Sequence, residues 1–164
     1  MAFVPFDDRD GWIWMDGDFV PWRDAKTHVL THALHYGSSV FEGERMYGGE
    51  IFKLTPHSER LKRSANLLDF DLPYSVAEID AACKETCEKM GLADCYVRPV
   101  AFLGSEQVSV TARNSKPHLA IAAWSGRAIS IPRSRRGASA WNGRSGGGRT
   151  RRRRRPRPRR RGCT

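Results

Sequence analysis

The composition of this chain changes abruptly between Trp124 and Ser125, and the change limits what each part can fold into. Residues 1–124 contain 13 Lys and Arg against 18 Asp and Glu, whereas residues 125–164 contain 15 Arg and no Asp, Glu or Lys. The net charge of +10 therefore combines −5 before the break with +15 after it. The two parts have to be interpreted separately.

The first part has the size of an ordinary domain, whereas the second contains too few apolar residues to form a hydrophobic core. About 120 residues suffice to bury one modest hydrophobic core. The large apolar residues after the break are Ile129, Ile131 and Trp141, among Gly, Ser, Pro and Arg. So little apolar surface cannot offset the entropy lost when a chain becomes ordered. We therefore predict one domain over residues 1–124 and a disordered tail over residues 125–164.

Cysteine usage and hydropathy predict a soluble cytoplasmic protein. The four cysteines do not follow the spacing of a small disulfide-bonded scaffold, which favours a reducing compartment and thiols in the core; they are Cys83, Cys87, Cys95 and Cys163. Cys83 and Cys87 lie four residues apart, but no partner motif follows them, and we predict no metal site. We find neither a basic-then-apolar leader nor an apolar run that could span a bilayer, and so expect no membrane association.

Four short strands in two hairpins and two longer strands are predicted. Each hairpin has a glycine-containing turn between β-favouring runs, because glycine tolerates the positive φ of a tight turn. The predicted strands are 12–15 and 18–20, joined by Asp16-Gly17; 45–47 and 51–54, joined by Gly48-Gly49; and then 95–103 and 118–124.

Two helices are predicted between the hairpins and the longer strands. Thr55 as the cap and Pro56 at the first helical position begin a helix with one buried face. Ser75 and Glu78 match a capping box and begin a second helix, which Gly91 ends. The order β-β-β-β-α-α-β-β predicts an α+β fold with an antiparallel sheet and two helices.

The segment from His32 to Arg45 is the densest cluster of chemically active side chains. Histidine, tyrosine, glutamate and arginine alternate there with glycine and aromatic residues. Such a mixture is typical of a pocket wall where the backbone approaches a ligand closely. The same residues also suit a polar turn that leads into a hairpin, and chemistry alone leaves both interpretations open.

This segment resembles the signature of the fold-type IV (class IV) pyridoxal-phosphate aminotransferases, and within them the branched-chain amino acid aminotransferases. The matching motif is His-Ala-Leu-His-Tyr-Gly-x-x-x-Phe-Glu-Gly-x-Arg over residues 32–45. The similarity continues at residues 57–65, 96–99 and 120–124. It covers residues 10–124 and implies the small N-terminal domain of that fold.

The resemblance implies a reversible transfer of an amino group between leucine, isoleucine or valine and 2-oxoglutarate, with pyridoxal 5′-phosphate as cofactor. It implies that Arg60 is cofactor-binding and grips the phosphate, a task that bidentate donors suit. The substrate-binding residues that it implies are Tyr36 and Arg98 for the side-chain carboxylate of glutamate, Tyr96 for the α-carboxylate, and Phe41 and Gly43 for the apolar pocket. Without the resemblance, Arg60 would be a solvated helix arginine, and a buried salt bridge is the alternative for Arg98.

The resemblance also implies that the catalytic lysine is not part of this chain. In the family, the lysine that links covalently to the cofactor belongs to a second, larger domain. We therefore assign that role to no lysine here and expect this chain alone to be inactive. Family members form homo-oligomers, and the resemblance implies the same for the intact protein.

The arginine-rich tail has two interpretations. Residues 151–161 contain nine Arg and two Pro, and would attract nucleic acid or another polyanion, so a nucleic-acid-binding protein is the alternative function. The second interpretation is a shifted reading frame, because Arg, Gly, Pro and Ala have codons of G and C alone. Trp124-Ser125-Gly126 written as TGG AGT GGG becomes Trp-Glu-Trp-Gly after one inserted G, which is similar to how the family continues. We favour the frameshift.

Overall fold

Seven strands and three α-helices make up residues 4–126, the part of the chain that this computed structural model describes. The strands are β1 (Trp12–Met15), β2 (Asp18–Pro21), β3 (Ser39–Phe41), β4 (Glu44–Tyr47), β5 (Glu50–Ile51), β6 (Cys95–Leu103) and β7 (Pro117–Trp124). The α-helices are α1 (His32–Tyr36), α2 (Leu54–Leu67) and α3 (Val76–Lys89), and a 3-10 turn spans Trp22–Asp24. The α+β prediction is confirmed. The prediction of a disordered tail concerns residues that, after Gly126, lie outside the described range.

The seven strands form one sheet in which every pairing is antiparallel, as predicted. The strand order is β2-β1-β7-β6-β4-β5, and β3 also pairs with β6. β6 and β7 pair along their whole length, from Tyr96 opposite Trp124 to Leu103 opposite Pro117. β6 is therefore the central strand, with β7 on one side and both β3 and β4 on the other.

The two predicted hairpins have different outcomes. β1 and β2 form the first, with positive φ angles of 52° at Asp16 and 109° at Gly17. The second is shorter than predicted, because its return strand contains only Glu50–Ile51. Lys53 has a left-handed φ of 52°, which turns the chain out of the sheet and lets α2 begin at Leu54.

On one side of the central strand β6, the backbone hydrogen-bond ladder is interrupted at Pro99. β3 pairs with residues 100–102 and β4 with residues 95–97. The carbonyl of Pro99 accepts a hydrogen bond from the Glu42 N–H at 2.9 Å, so the backbone of Pro99 faces this side. Because proline has no N–H, it cannot return a ladder bond there. The pairing breaks between β3 and β4, and Glu42 and Gly43 occupy the gap.

Helices α2 and α3 pack on one face of the sheet. The core residues that alternate along β6 and β7 meet apolar residues of the helices; the cluster includes Val97, Ala101, Leu119, Ile121, Ala123, Leu61, Ala65, Ile79 and Cys83. The predicted capping box is present, because the Ser75 Oγ accepts from the Glu78 N–H at 3.2 Å and the Glu78 carboxylate accepts from the Ser75 N–H at 2.7 Å. The predicted start of α3 is therefore confirmed.

The prediction of two helices was wrong in number and in one boundary. It misses α1, whose five residues end before Gly37 at φ 72° and are too few to show helical periodicity. Strand β3 was missed as well, since three residues show no clear alternation. Pro56 occupies the first turn of α2, where a missing N–H is tolerated, but not its first position. Thr55 does not cap this helix, because its hydroxyl donates to Asp80 of α3 at 2.6 Å.

The cysteines in the described range are core thiols, as predicted. Cys83, Cys87 and Cys95 are free and buried, and the Sγ atoms of Cys87 and Cys95 lie 3.6 Å apart. Residues 4–126 contain no group of three or more His, Cys, Asp or Glu that could hold a metal ion. The helices of this range are too short or too polar to cross a membrane.

One ionisable side chain, Glu44 of β4, is buried in the core without a partner. Its side chain is almost completely inaccessible, and neither carboxylate oxygen has a hydrogen-bond partner in the described part of the chain. Burial, together with the nearby charges of Glu42 and Asp80, raises the pKa of Glu44 from 4.5 to about 8. The folded domain therefore holds Glu44 as a neutral acid at neutral pH.

We expect the protonation of Glu44 to make the stability of the domain depend on pH. The raised pKa means that the stabilising effect is fully present below about pH 4.5 and is lost as the pH rises through about 8. Glu44→Gln removes the titration, so the variant should exceed the wild type in free energy of unfolding by about 2 to 4 kcal/mol near pH 9. Urea unfolding of the full chain at several pH values measures this.

The matched control for this prediction is Glu50→Gln on the neighbouring strand β5, where the side chain is exposed. It should unfold like the wild type at every pH. Parallel stability curves for the wild type and Glu44→Gln would show that Glu44 does not titrate in the folded core.

Candidate functional site

The gap between β3 and β4 brings four of the predicted site residues together. Phe41 ends β3 and Gly43 precedes β4, and both lie beside the part of β6 that carries Arg98. Tyr96 and Arg98 alternate with the buried residues of β6 and therefore lie on the face opposite the helices. The register of β3 and β4 against β6 is the same on both sides of Pro99, and it places Phe41 and Gly43 beside these two side chains.

Arg98 makes the central contacts in this region. Its Nη2 donates to the Tyr96 hydroxyl at 2.9 Å, and its guanidinium carbon lies 4.3 Å from the centre of the Phe41 ring. The Nε of Arg98 is buried and has no hydrogen-bond partner among residues 4–126. No carboxylate of this range forms a salt bridge with Arg98, so the alternative of a buried salt bridge has no partner here. An unpaired buried N–H is costly, and an incoming carboxylate would satisfy it.

Gly43 is required by the position of the Tyr96 ring. A Cβ at Gly43 would lie 3.2 Å from Cζ of Tyr96 and closer still to its hydroxyl oxygen. The Tyr96 ring cannot easily move away, because Trp124 lies against it at 4.9 Å between ring centres and Arg98 bonds its hydroxyl. The glycine thus lets a tyrosine hydroxyl and an arginine converge at the same point.

A second cationic group lies on the other side of the gap. Arg60 of α2 forms a two-point ion pair with Glu42, with Nε to Oε1 at 2.5 Å and Nη2 to Oε2 at 2.6 Å. The Nδ1 of His57 lies 2.9 Å from Oε2 of the same carboxylate. The Glu42 side chain is 4% exposed, whereas that of Arg60 is 54% exposed. The buried carboxylate therefore fixes an arginine whose guanidinium faces solvent.

Glu42 remains ionised although it is buried. Burial raises the pKa of Glu42, but hydrogen bonds and charge from Arg60 and His57 outweigh burial and lower this pKa below its usual value. The same pair raises the pKa of Arg60. A permanently charged and oriented guanidinium at the surface suits a phosphate group.

Tyr36 does not join the other predicted residues. It lies on α1, where its ring packs against His32 and His35 at 4.6 and 6.2 Å between ring centres. Tyr36 lines a separate open cleft of about 710 Å³. The opposite wall of this cleft comes from the loop between β6 and β7, including Val110 and Arg113.

Sequence reasoning missed three residues that shape the site. It assigned no role to Glu42 or His57, which together hold Arg60. It also missed Arg45, which pairs with Tyr96 across the sheet, donates from Nη1 to the Gly126 carbonyl at 3.1 Å, and has a buried Nε without a partner in the described range. The position of Glu42 within the motif was the available signal, but only the fold shows which arginine it meets.

The fold is an α+β domain with Arg60 and Arg98 at two separate positions, and comparison with known proteins shows its family. The model of the amino-transferase class IV family matches residues 39–147. This chain belongs to the class IV aminotransferase family.

Individual relatives are branched-chain aminotransferases. The enzyme of Pseudomonas aeruginosa is 49% identical over 122 residues, which are 72% of this chain and 40% of the relative. The Escherichia coli structure superimposes with a TM-score of 0.70 at 36% identity and covers 74% of this chain and 41% of that one. A structure of the T.th. enzyme in complex with N-(5′-phosphopyridoxyl)-L-glutamate has a TM-score of 0.68 at 41% identity and covers 71% and 42%. The chain thus spans about two fifths of the relatives that it matches.

We expect Gly43→Ala to displace Tyr96 and to destabilise the domain by about 1 to 3 kcal/mol, because the new methyl group overlaps the tyrosine. Urea unfolding of the full chain measures the loss. The cost should be smaller in a Tyr96→Phe background, since the atom in closest overlap is then absent. Equal costs in both backgrounds would show that Tyr96 does not require the glycine.

Proposed function

We propose that this chain forms the small domain of a pyridoxal 5′-phosphate-dependent branched-chain amino acid aminotransferase. Its part in the reaction is to hold the cofactor phosphate and to receive the substrate carboxylate. The observation that carries the proposal is the convergence of Arg98 and Tyr96 beside Phe41, with a buried N–H of Arg98 left unpaired among residues 4–126. Family membership and the branched-chain relatives support it.

The site combines an apolar surface with an anion-binding group, which a branched-chain aminotransferase needs. The Phe41 ring is 60% exposed and lies against the Arg98 guanidinium, so one surface can contact an aliphatic side chain or a carboxylate. Leucine would pack on the ring, and glutamate would place its second carboxylate on Arg98. Tyr96 would bind the carboxylate that both substrates share. The structure of the T.th. relative in complex with a glutamate derivative of the cofactor supports glutamate as a substrate.

Arg60 is the residue that we assign to the cofactor phosphate. Its guanidinium is exposed and oriented by Glu42, which fits a dianionic group better than a freely moving side chain would. When bound, pyridoxal phosphate supplies the electron sink for amino-group transfer. The residues of this chain bind and orient the cofactor and the substrate. We assign the role of the lysine that links covalently to the cofactor to none of the lysines in this sequence. Tyr36 lies in a separate cleft. It would contact the side-chain carboxylate of glutamate only in an oligomer that places this cleft against a substrate site.

The proposal is tested by a chimera in which residues 4–126 replace the matching segment of the Pseudomonas aeruginosa relative. The chimera should transfer the amino group of leucine to 2-oxoglutarate. Arg60→Ala should weaken pyridoxal phosphate binding about ten- to a hundredfold, because a charge-assisted contact is lost. Spectrophotometric cofactor titration measures this, and Arg63→Ala, an exposed arginine on the same helix, is the matched control.

A folded chimera that binds the cofactor equally well with and without Arg60 would refute the phosphate assignment. A folded chimera that binds cofactor but does not transaminate would refute the substrate assignment. The two results are separable because one is an equilibrium titration and the other is a rate.

In the active chimera, Arg98→Ala should impair glutamate turnover more than leucine turnover, because only glutamate offers a second carboxylate. A charge-assisted hydrogen bond of about 1.5 to 3 kcal/mol corresponds to a difference of roughly ten- to a hundredfold in kcat/KM. Steady-state kinetics with both amino acids measure it. Equal losses on the two substrates would make Arg98 a structural residue.

A further inference from the structure

A second group of charged side chains, remote in sequence from Arg60 and Arg98, surrounds His118 at the start of β7. The Nδ1 of His118 lies 2.6 Å from the Asp16 carboxylate in the β1–β2 turn. The Nε2 lies 3.1 Å from the Glu106 carboxylate in the loop 104–116, which joins β6 to β7. The imidazole ring also stacks on Phe102 of β6. One ring thus connects three separate parts of the fold.

The geometry requires a protonated ring. An ionised carboxylate only accepts hydrogen bonds, and a neutral imidazole has a single N–H to donate. Both ring nitrogens of His118 face carboxylate oxygens, so both contacts exist together only when both nitrogens carry hydrogen. A neutral ring can keep only one of the two carboxylate contacts.

Each carboxylate is itself fixed by the backbone. Asp16 accepts the Leu119 N–H at 2.8 Å, and Glu106 accepts the Lys116 N–H at 2.9 Å. At Gly104, any side chain would collide with the ring of His118 and with the Glu106 carboxylate. The backbone of the loop at Gly104 is therefore too close to His118 to leave room for a side chain.

The same loop forms one wall of the cleft that contains Tyr36. Residues 110–113 line this cleft, and the Val110 side chain is largely exposed beside it. A second histidine holds the middle of the loop, because the Nε2 of His32 donates to the Ser109 carbonyl at 2.9 Å while its Nδ1 faces the Ser38 hydroxyl. The Ser38 hydroxyl can either donate or accept, so neither contact of His32 requires a particular charge on its ring. His118 is therefore the tether whose contacts depend on protonation.

We propose that His118 is a protonation-controlled clasp. Its imidazolium form fixes the loop 104–116 to the β1–β2 turn and so positions the wall of the Tyr36 cleft; its neutral form releases Glu106. Glu106 is the contact released because it is the longer one, and because Asp16 remains bonded to Leu119 in β7 itself. The inference rests on the geometry of the clasp and not on the proposed function.

The surrounding charges determine the pH range of the clasp. Burial lowers the pKa of His118, but hydrogen bonds and charge from Asp16 and Glu106 outweigh burial and raise this pKa above 6.5. Lys26 and His28 line the small cavity beside the ring, and Lys116 approaches through its backbone. A raised histidine pKa means that the contact is present at lower pH and is lost as the pH rises through the raised pKa.

The test is amide hydrogen exchange of the full chain at about pH 6 and about pH 8.5, corrected for intrinsic exchange rates. In the wild type, protection of the loop 104–116 should fall about five- to tenfold at the higher pH, as expected for one lost charge-assisted hydrogen bond. Protection of α3 (Val76–Lys89) monitors global unfolding. Measurements in a Glu44→Gln background remove the titration of Glu44, whose pKa is about 8.

Glu106→Gln separates the clasp from general effects of pH. An amide can accept the Lys116 N–H with its oxygen and donate to the neutral ring of His118 with its nitrogen, so this variant should keep the loop protected at the higher pH. His118→Gln should show no pH dependence of the loop, while His28→Gln should behave like the wild type. The proposal is overturned if wild-type loop protection does not change with pH, or if Glu106→Gln retains the change. Because Glu106→Gln preserves size and shape, the result does not depend on whether His118→Gln folds.

Discussion

The register of β3 and β4 against the central strand β6 organises the proposed binding region of this domain. Pro99 accepts a backbone hydrogen bond from Glu42 but has no N–H to return, so the strands on that side cannot pair continuously with β6. Glu42 and Gly43, the two residues between β3 and β4, contact different groups. The Glu42 side chain reaches α2 and holds Arg60, while Gly43 leaves room for Tyr96. Alternation along one extended segment therefore directs Glu42 and Gly43 toward cationic groups on opposite faces of the sheet.

This arrangement places several carboxyl groups in or near the core of the domain, where desolvation disfavours their charged form. Glu42 is stabilised as a charged group by Arg60 and His57, and Asp80 accepts hydroxyl hydrogen bonds from Thr55 and Ser58. Glu44 has no such partner among residues 4–126 and is held neutral. The difference between neighbouring positions of one short segment shows that local partners, rather than burial alone, decide whether a core carboxyl group carries charge.

The proposed function uses two distinct surfaces of the domain. Arg98, Tyr96 and Phe41 form one on the face of the sheet opposite the helices, and the Tyr36 cleft forms the other between α1 and the loop 104–116. The loop that lines the second surface is bonded to His32 through a carbonyl and contacts His118 through a carboxylate. His118 in turn contacts Asp16, which lies 102 residues away in the chain. The second surface is the more adjustable one, because its wall is a loop and not a paired strand.

Local sequence patterns were enough to predict much of the fold. The capping box at Ser75, the turn at Asp16-Gly17 and the alternation in β6 and β7 each act over a few residues, so they can be read without knowing what they pack against. The motif at residues 32–45 likewise indicated the family and the region of the site. Tertiary structure alone decided the gap at Pro99, the Glu42–Arg60 pair and the contacts of His118. The physical reason is that each of these depends on the direction of one backbone or side-chain group toward a partner from another element, and no local periodicity records that direction.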